Sequence, residues 1–250
     1  MAVRRREILW WMTGAAAALA APRVSAAPIK AVLFDAFPVL DPRPVFALAE
    51  QLFPGNGKAF GEAWRTRLFE YQWLRALSGR YADFLDAAEG ALVFAAKAQK
   101  VDLTEEKRTR LVQSWLALKA WPDAPPALHA LKQDGVRLAF LSNATPRMLE
   151  AGIHNSSLEF VFEQAISTDR IRTYKPDPRA YQLGVDALRL PAGEILFAAF
   201  AGWDASGAKW FGYPTFWVNR AGAAAEELGA PPDGIGSTMD DLLRFVRARR

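Results

Sequence analysis

Five short, uninterrupted apolar runs punctuate the chain. They are residues 29–34, VRLAFLS from Val136, QAIST from Gln164, EILFAAFA from Glu194 and PTFWVN from Pro214. Continuous rather than alternating apolarity marks strands buried on both faces, as in a parallel sheet. Helical segments separate the later runs, for example over 178–188 and 205–210, and WPDAPPALHALKQDG opens a helix that stops near Gly135. Strands alternating with helices predict an α/β fold with a doubly wound parallel sheet. One interval breaks this rhythm. From Val45 to about Ala120 the text is helical, with Phe46, Leu48 and Leu52, then Trp64, Leu68, Tyr71 and Leu74 at helical spacing, interrupted at Pro54, Gly55 and Gly57. That block is far longer than a crossover helix needs. It is therefore assigned as an inserted helical cap, residues 42–119, with residues 27–41 and 120–250 forming the core.

Ligands of open α/β sheets bind beyond the carboxyl ends of the strands. The polar residues expected there are Asp35 after the first run, Ser142 and Asn143 after the second, Lys175 in YKPD past the third, and Asp204 in GWD after the fourth. An acid, a hydroxyl–amide pair, a lysine and a second acid would converge on one rim.

Composition changes this picture at one end only. Residues 1–26 begin with Arg4, Arg5 and Arg6, continue with an apolar run from Ile8 to about Ala21, and finish on VSA at 24–26. This predicts an export signal. RRREIL resembles a twin-arginine signal, which implies the twin-arginine export machinery as a partner and a periplasmic or otherwise exported protein. The apolar run is shorter than the ~20 residues a spanning helix requires. The whole chain carries 31 basic and 27 acidic residues, net +4; without residues 1–26 the net charge is +1, so the basic balance makes no case for nucleic acid. There are no cysteines, which removes disulfides and thiol nucleophiles. The two histidines, His129 and His154, are far apart in sequence and suggest no transition-metal site.

The rim residues in this order resemble the haloacid dehalogenase superfamily. The cap stretch WRTRLFEYQWLRALSGRYADF (64–84), with LSNATP, YKPDPRAY and WDASGAKWFGYPTFWVNR, is similar more narrowly to the L-2-haloacid dehalogenases. The resemblance runs from about Ile29 to the C-terminus. It implies a carboxylate nucleophile, Asp35, that displaces halide from a short 2-haloacid, giving an ester that water then hydrolyses, with no cofactor and no metal. Lys175 would hold Asp35 ionised and oriented. Arg65 would act on the halide side, with Asn143 sharing that role. Ser142 would bind the substrate carboxylate. Asp204 would fix Lys175 and position the water. Phe37, Phe69, Phe84 and Trp203 would wall an apolar pocket, and Tyr181 matches a family tyrosine near the site. Family members often pair, so a homodimer is a further expectation.

Two features bear on rival readings. Phosphatases of the same fold place a second acid two residues past the nucleophile, to protonate a leaving alkoxide; here that residue is Phe37, and halide needs no proton to leave. The family's Gly-Thr after the nucleophile is Pro38-Val39, and its serine and asparagine before the tryptophan are Ala199 and Ala201. Each replaced residue could have hydrogen-bonded in the site, so a weak or inactive relative that binds small carboxylates stands beside the enzyme reading.

Overall fold

The computed structural model describes residues 27–250; the predicted export signal lies outside them. Six strands form one fully parallel sheet. They are β1 (Ala31–Phe34), β2 (Arg137–Ser142), β3 (Gln164–Ser167), β4 (Ile195–Ala199), β5 (Thr215–Val218) and β6 (Gly234–Gly236), in the order β3-β2-β1-β4-β5-β6. The apolar runs become strands because both faces of the sheet are covered. Alternate residues feed two cores: Val32, Phe34, Leu138, Phe140 and Leu196 enter one, and Ala31, Leu33, Ala139, Leu141 and Phe197 the other. From β1 the chain steps one way to β2 and β3, then returns to the other side for β4, β5 and β6. The crevice at the end of β1 is thus the switch point where such sheets bind ligands.

Six helices accompany the sheet: α1 (Ala36–Val39), α6 (Ala124–Gln133), α7 (Pro146–Asn155), α8 (Pro178–Leu188), α9 (Gly202–Phe211) and α10 (Met239–Arg247). Their starts are written locally. Thr145 and Asp177 accept backbone N–H groups of α7 and α8 just before Pro146 and Pro178, and Thr238 with Asp241 makes a capping box on α10.

Four more helices lie between β1 and β2: α2 (Arg43–Leu52), α3 (Gly57–Ser78), α4 (Phe84–Gln99) and α5 (Glu105–Ser114). On α3 the buried residues Phe60, Trp64 and Leu68 recur every fourth position, and α4 answers with Phe84, Ala88 and Leu92. Alanines on α4 let the helices approach until the Trp64 Nε1 donates to the Ala88 carbonyl at 2.8 Å. Gly79, at φ 65°, ends α3 in the left-handed conformation, and the Asp83 side chain caps α4. The chain leaves and re-enters the sheet layer side by side. Leu40 and Ala120 form an antiparallel bridge, Asp41 N–H donates to Lys119 O (2.8 Å) and Trp121 N–H to Val39 O (2.9 Å).

Two elements were not anticipated. β6 is Gly-Ile-Gly, with no apolar run to announce it. Its glycines are there because Phe216, Phe245 and Asp241 press where a Cβ would sit. Helix α10 covers the same edge with Met239, Leu242 and Val246.

Candidate active site

Asp35 follows β1 directly and opens the short helix α1. One carboxylate oxygen accepts the Phe37 backbone N–H at 3.2 Å, so Asp35 caps that turn as well as facing the crevice. Its other oxygen accepts from Lys175 Nζ at 3.0 Å and from Ser142 Oγ at 3.1 Å. Lys175 also reaches Asp204 Oδ2 at 2.6 Å. The three charged groups are 8 %, 1 % and 2 % exposed for Asp35, Lys175 and Asp204. Burial alone would push the Lys175 ammonium down, but the two carboxylates overcome this and hold it above its ordinary value. Burial pushes Asp204 up to about 6, against the opposing pull of Lys175. Two negative charges and one positive share this dry site, and Asp204 takes up its proton at about pH 6, above the ordinary aspartate range.

Tyr181 stands behind this cluster. Fully buried on α8, it donates to Asp204 Oδ1 at 2.7 Å and lines neither cavity of the site. The tyrosine expected near the site, and so a candidate to touch substrate, stands instead one layer back: Tyr181 holds Asp204 from the far side. Gly207 on α9 makes room for it, since a Cβ there would lie 2.5 Å from the Tyr181 hydroxyl.

Two other expected roles change for geometric reasons. The Ser142 hydroxyl is engaged with Asp35 rather than free for a substrate carboxylate, and the Ala36 and Ala144 N–H groups donate to its oxygen. The Asn143 amide is fully occupied. Its Oδ1 accepts the Lys175 backbone N–H at 2.8 Å, and its Nδ2 donates to Gln72 Oε1 at 3.2 Å and, more weakly, to the Lys175 carbonyl at 3.5 Å. In this arrangement Asn143 positions the lysine instead of offering a donor to halide.

Two adjoining spaces with a shared wall lie at this end of the sheet. The inner one, about 20 Å³, is bounded by Asp35, Ser142, Asn143, Asp204 and, from the cap, Gln72. The outer one is about 350 Å³ and opens between α3 and the loop after β5. Phe37, Phe69, Phe84, Phe200 and Trp203 wall both. Trp121 Nε1 fixes the Phe37 carbonyl and Trp217 Nε1 the Phe200 carbonyl, each at 3.0 Å, so the aromatic wall is braced from behind. Arg65 is exposed and lines the outer space only. The structure thus sets it at the mouth, apart from the inner space that holds Asp35.

Gln72 and Phe200 were missed by the sequence reading. Gln72 sits in a cap helix among charged and aromatic residues, where nothing marks a glutamine as buried. Phe200 reads as the end of a strand. The three departures also resolve spatially. Val39 is wholly buried in the core and lines neither space, and Ala199 is buried in the opposite core. Ala201 alone faces the cavities. Asp35 has three donors without any contribution from position 39.

Comparison with known proteins places these residues in a family. The haloacid dehalogenase-like hydrolase model matches residues 23–212. Haloacetate dehalogenase H-2 of Moraxella sp. (strain B) is 41 % identical over 87 % of this chain and 98 % of its own. A crystallised L-2-haloacid dehalogenase superposes with a TM-score of 0.86 at 39 % identity, covering 88 % of this chain and all of its own. The L-2-haloacid dehalogenase of Xanthobacter autotrophicus, solved with chloropropionic acid covalently bound, superposes with a TM-score of 0.80 at 32 % identity, over 89 % of this chain and all of its own. With its switch-point aspartate, buried lysine and aromatic wall in that company, the chain belongs to the haloacid dehalogenase-like hydrolases and, within them, to the L-2-haloacid dehalogenases.

Proposed function

We propose that this protein hydrolyses short L-2-haloacids to D-2-hydroxyacids through an ester on Asp35. The observation that carries the reading is a single carboxylate at the switch point, braced by a buried lysine and faced by aromatic rings where a phosphatase needs a second acid. An Asp35 oxygen attacks the halogen-bearing carbon from the side opposite the halogen. The carbon–oxygen bond forms, the carbon–halogen bond breaks, the halide leaves with the electron pair, and the configuration inverts. Water then attacks the ester carbonyl. Asp204, with its carboxyl near 6, is the acceptor for the water's proton at neutral pH. The hydroxyacid departs with an oxygen from Asp35, and the carboxylate is rebuilt with an oxygen from water. Dry aromatic walls keep stray water from the electrophile and strengthen the charges beneath it.

The test is a single turnover of L-2-chloropropionate in heavy-oxygen water. Chloride release, D-lactate and a solvent label in the Asp35 peptide are the expected results. Halide release with no label at Asp35 would exclude the ester, and stabilisation by the haloacid with no release at all would make the chain a binder.

The basic start, apolar run and VSA of residues 1–26 support export by the twin-arginine route and action in the periplasm. Replacing Arg5 and Arg6 by Lys is expected to retain the protein in the cytoplasmic fraction, where wild type is depleted. Leu74 and Leu77, exposed on α3, support pairing into a homodimer, to be read by light scattering.

A further inference from the structure

Gln72 carries a donor that no group among the described residues uses. It is fully buried on α3 and bounds the inner space shared with Asp35 and Ser142, and its Nε2 has no hydrogen-bond partner there. Buried amide groups rarely go unpaired, because desolvating one without a partner is costly. The orientation is fixed by a chain of contacts. The backbone N–H of Lys175 can only donate, so it must meet Asn143 Oδ1, and Thr168 Oγ1 donates to the same oxygen. Asn143 therefore turns Nδ2 toward Gln72, which must answer with Oε1. The Gln72 NH2 is left directed away from Asn143.

We propose that Gln72 is a catalytic residue that donates a hydrogen bond from Nε2 to the departing halide. The inference rests on the dehalogenase reading above. Asp35 rises from the strand ends and Gln72 descends from the cap, and both bound one small space. A carbon attacked by Asp35 in line presents its leaving group on the opposite side, toward the cap. There the halide, gaining the full electron pair of the broken bond, meets a neutral donor already desolvated, whose interaction strengthens as charge develops. No proton is transferred.

The experiment measures single-turnover ester formation at Asp35 with L-2-chloro-, L-2-bromo- and L-2-iodopropionate, comparing wild type, Gln72→Met and Gln72→Leu. Both substitutions remove the donor and, being apolar, cannot regain one by protonation. Chloride is the better hydrogen-bond acceptor, so both variants are expected to lose roughly tenfold or more with the chloro acid and distinctly less with the iodo acid. An equal loss across the three halogens, or no loss with any of them, would reduce Gln72 to a support for Asn143 and overturn the proposal. If wild type forms no ester with any of the three, it is the dehalogenase reading itself that fails.

Discussion

At the scale of single residues, the proposed mechanism makes its sharpest predictions at three side chains. If Asp35 supplies the oxygen that bonds to carbon, as proposed, Asp35→Asn is expected to lower turnover by about four orders of magnitude or more, measured as halide release. Asp204 sets the pH dependence. Its carboxyl is raised to about 6, so the rate of ester hydrolysis, followed in a single turnover, should fall as pH drops through that value and the proposed base becomes protonated. The same shift acts on stability with the opposite sign from a usual salt-bridged acid. The folded state binds this proton more tightly than the unfolded state, so Asp204 makes stability fall as pH rises from about 4 to about 6, and contributes no further change above. Tyr181 holds the ionised form of Asp204 through its 2.7 Å hydrogen bond. Tyr181→Phe should therefore move the acid limb of the pH profile upward and cost about 1–3 kcal/mol in urea unfolding. A profile unmoved by that change would separate Tyr181 from the titrating group.

At the scale of elements, the site depends on how closely helices approach one another and the sheet. Tyr181 on α8 reaches Asp204 on α9 only because position 207 of α9 has no side chain; a Cβ there would lie 2.5 Å from the tyrosine hydroxyl and 2.8 Å from Pro176 Cβ. Gly207→Ala is expected to reproduce the upward shift of Tyr181→Phe, with a stability loss of about 1–3 kcal/mol from overpacking. Activity and melting temperature measured together would check it. The elements themselves were largely legible. The run from Val136 became β2 and the segment 178–188 became α8, because apolar continuity and proline-marked helix starts are local signals. β6 was not, since Gly-Ile-Gly gains its place from Phe216 and Phe245 arriving from elsewhere.

At the scale of the whole molecule, the nucleophile turn is tied to distant parts of the chain. Arg220, after β5, donates to the Pro38 carbonyl at 2.9 Å, pairs with Asp123 at the start of α6, and stacks on Trp121. One guanidinium thus joins the turn after Asp35, the return from the cap, and the far side of the sheet. Arg220→Met keeps the bulk but removes the charge and the fork of donors. It is expected to cost about 2–4 kcal/mol of stability, the pair being only partly exposed, and to lower kcat by loosening the Asp35 turn. Denaturant unfolding and turnover of the same sample would test both.

What the sequence determined by itself was five of the six strands, the inserted helical block and the rim positions of Asp35, Lys175 and Asp204, because strand ends in a parallel sheet must share one edge. Only the tertiary structure decided which polar groups are already engaged. Asn143 and Ser142 looked free until their partners from other elements were in place, Tyr181 was expected near the site but its place behind Asp204 needed Gly207 to make room, and Gln72 carried no sign of burial in its own helix. Hydrogen-bond occupancy is a property of neighbours distant in the chain, and no local pattern encodes it.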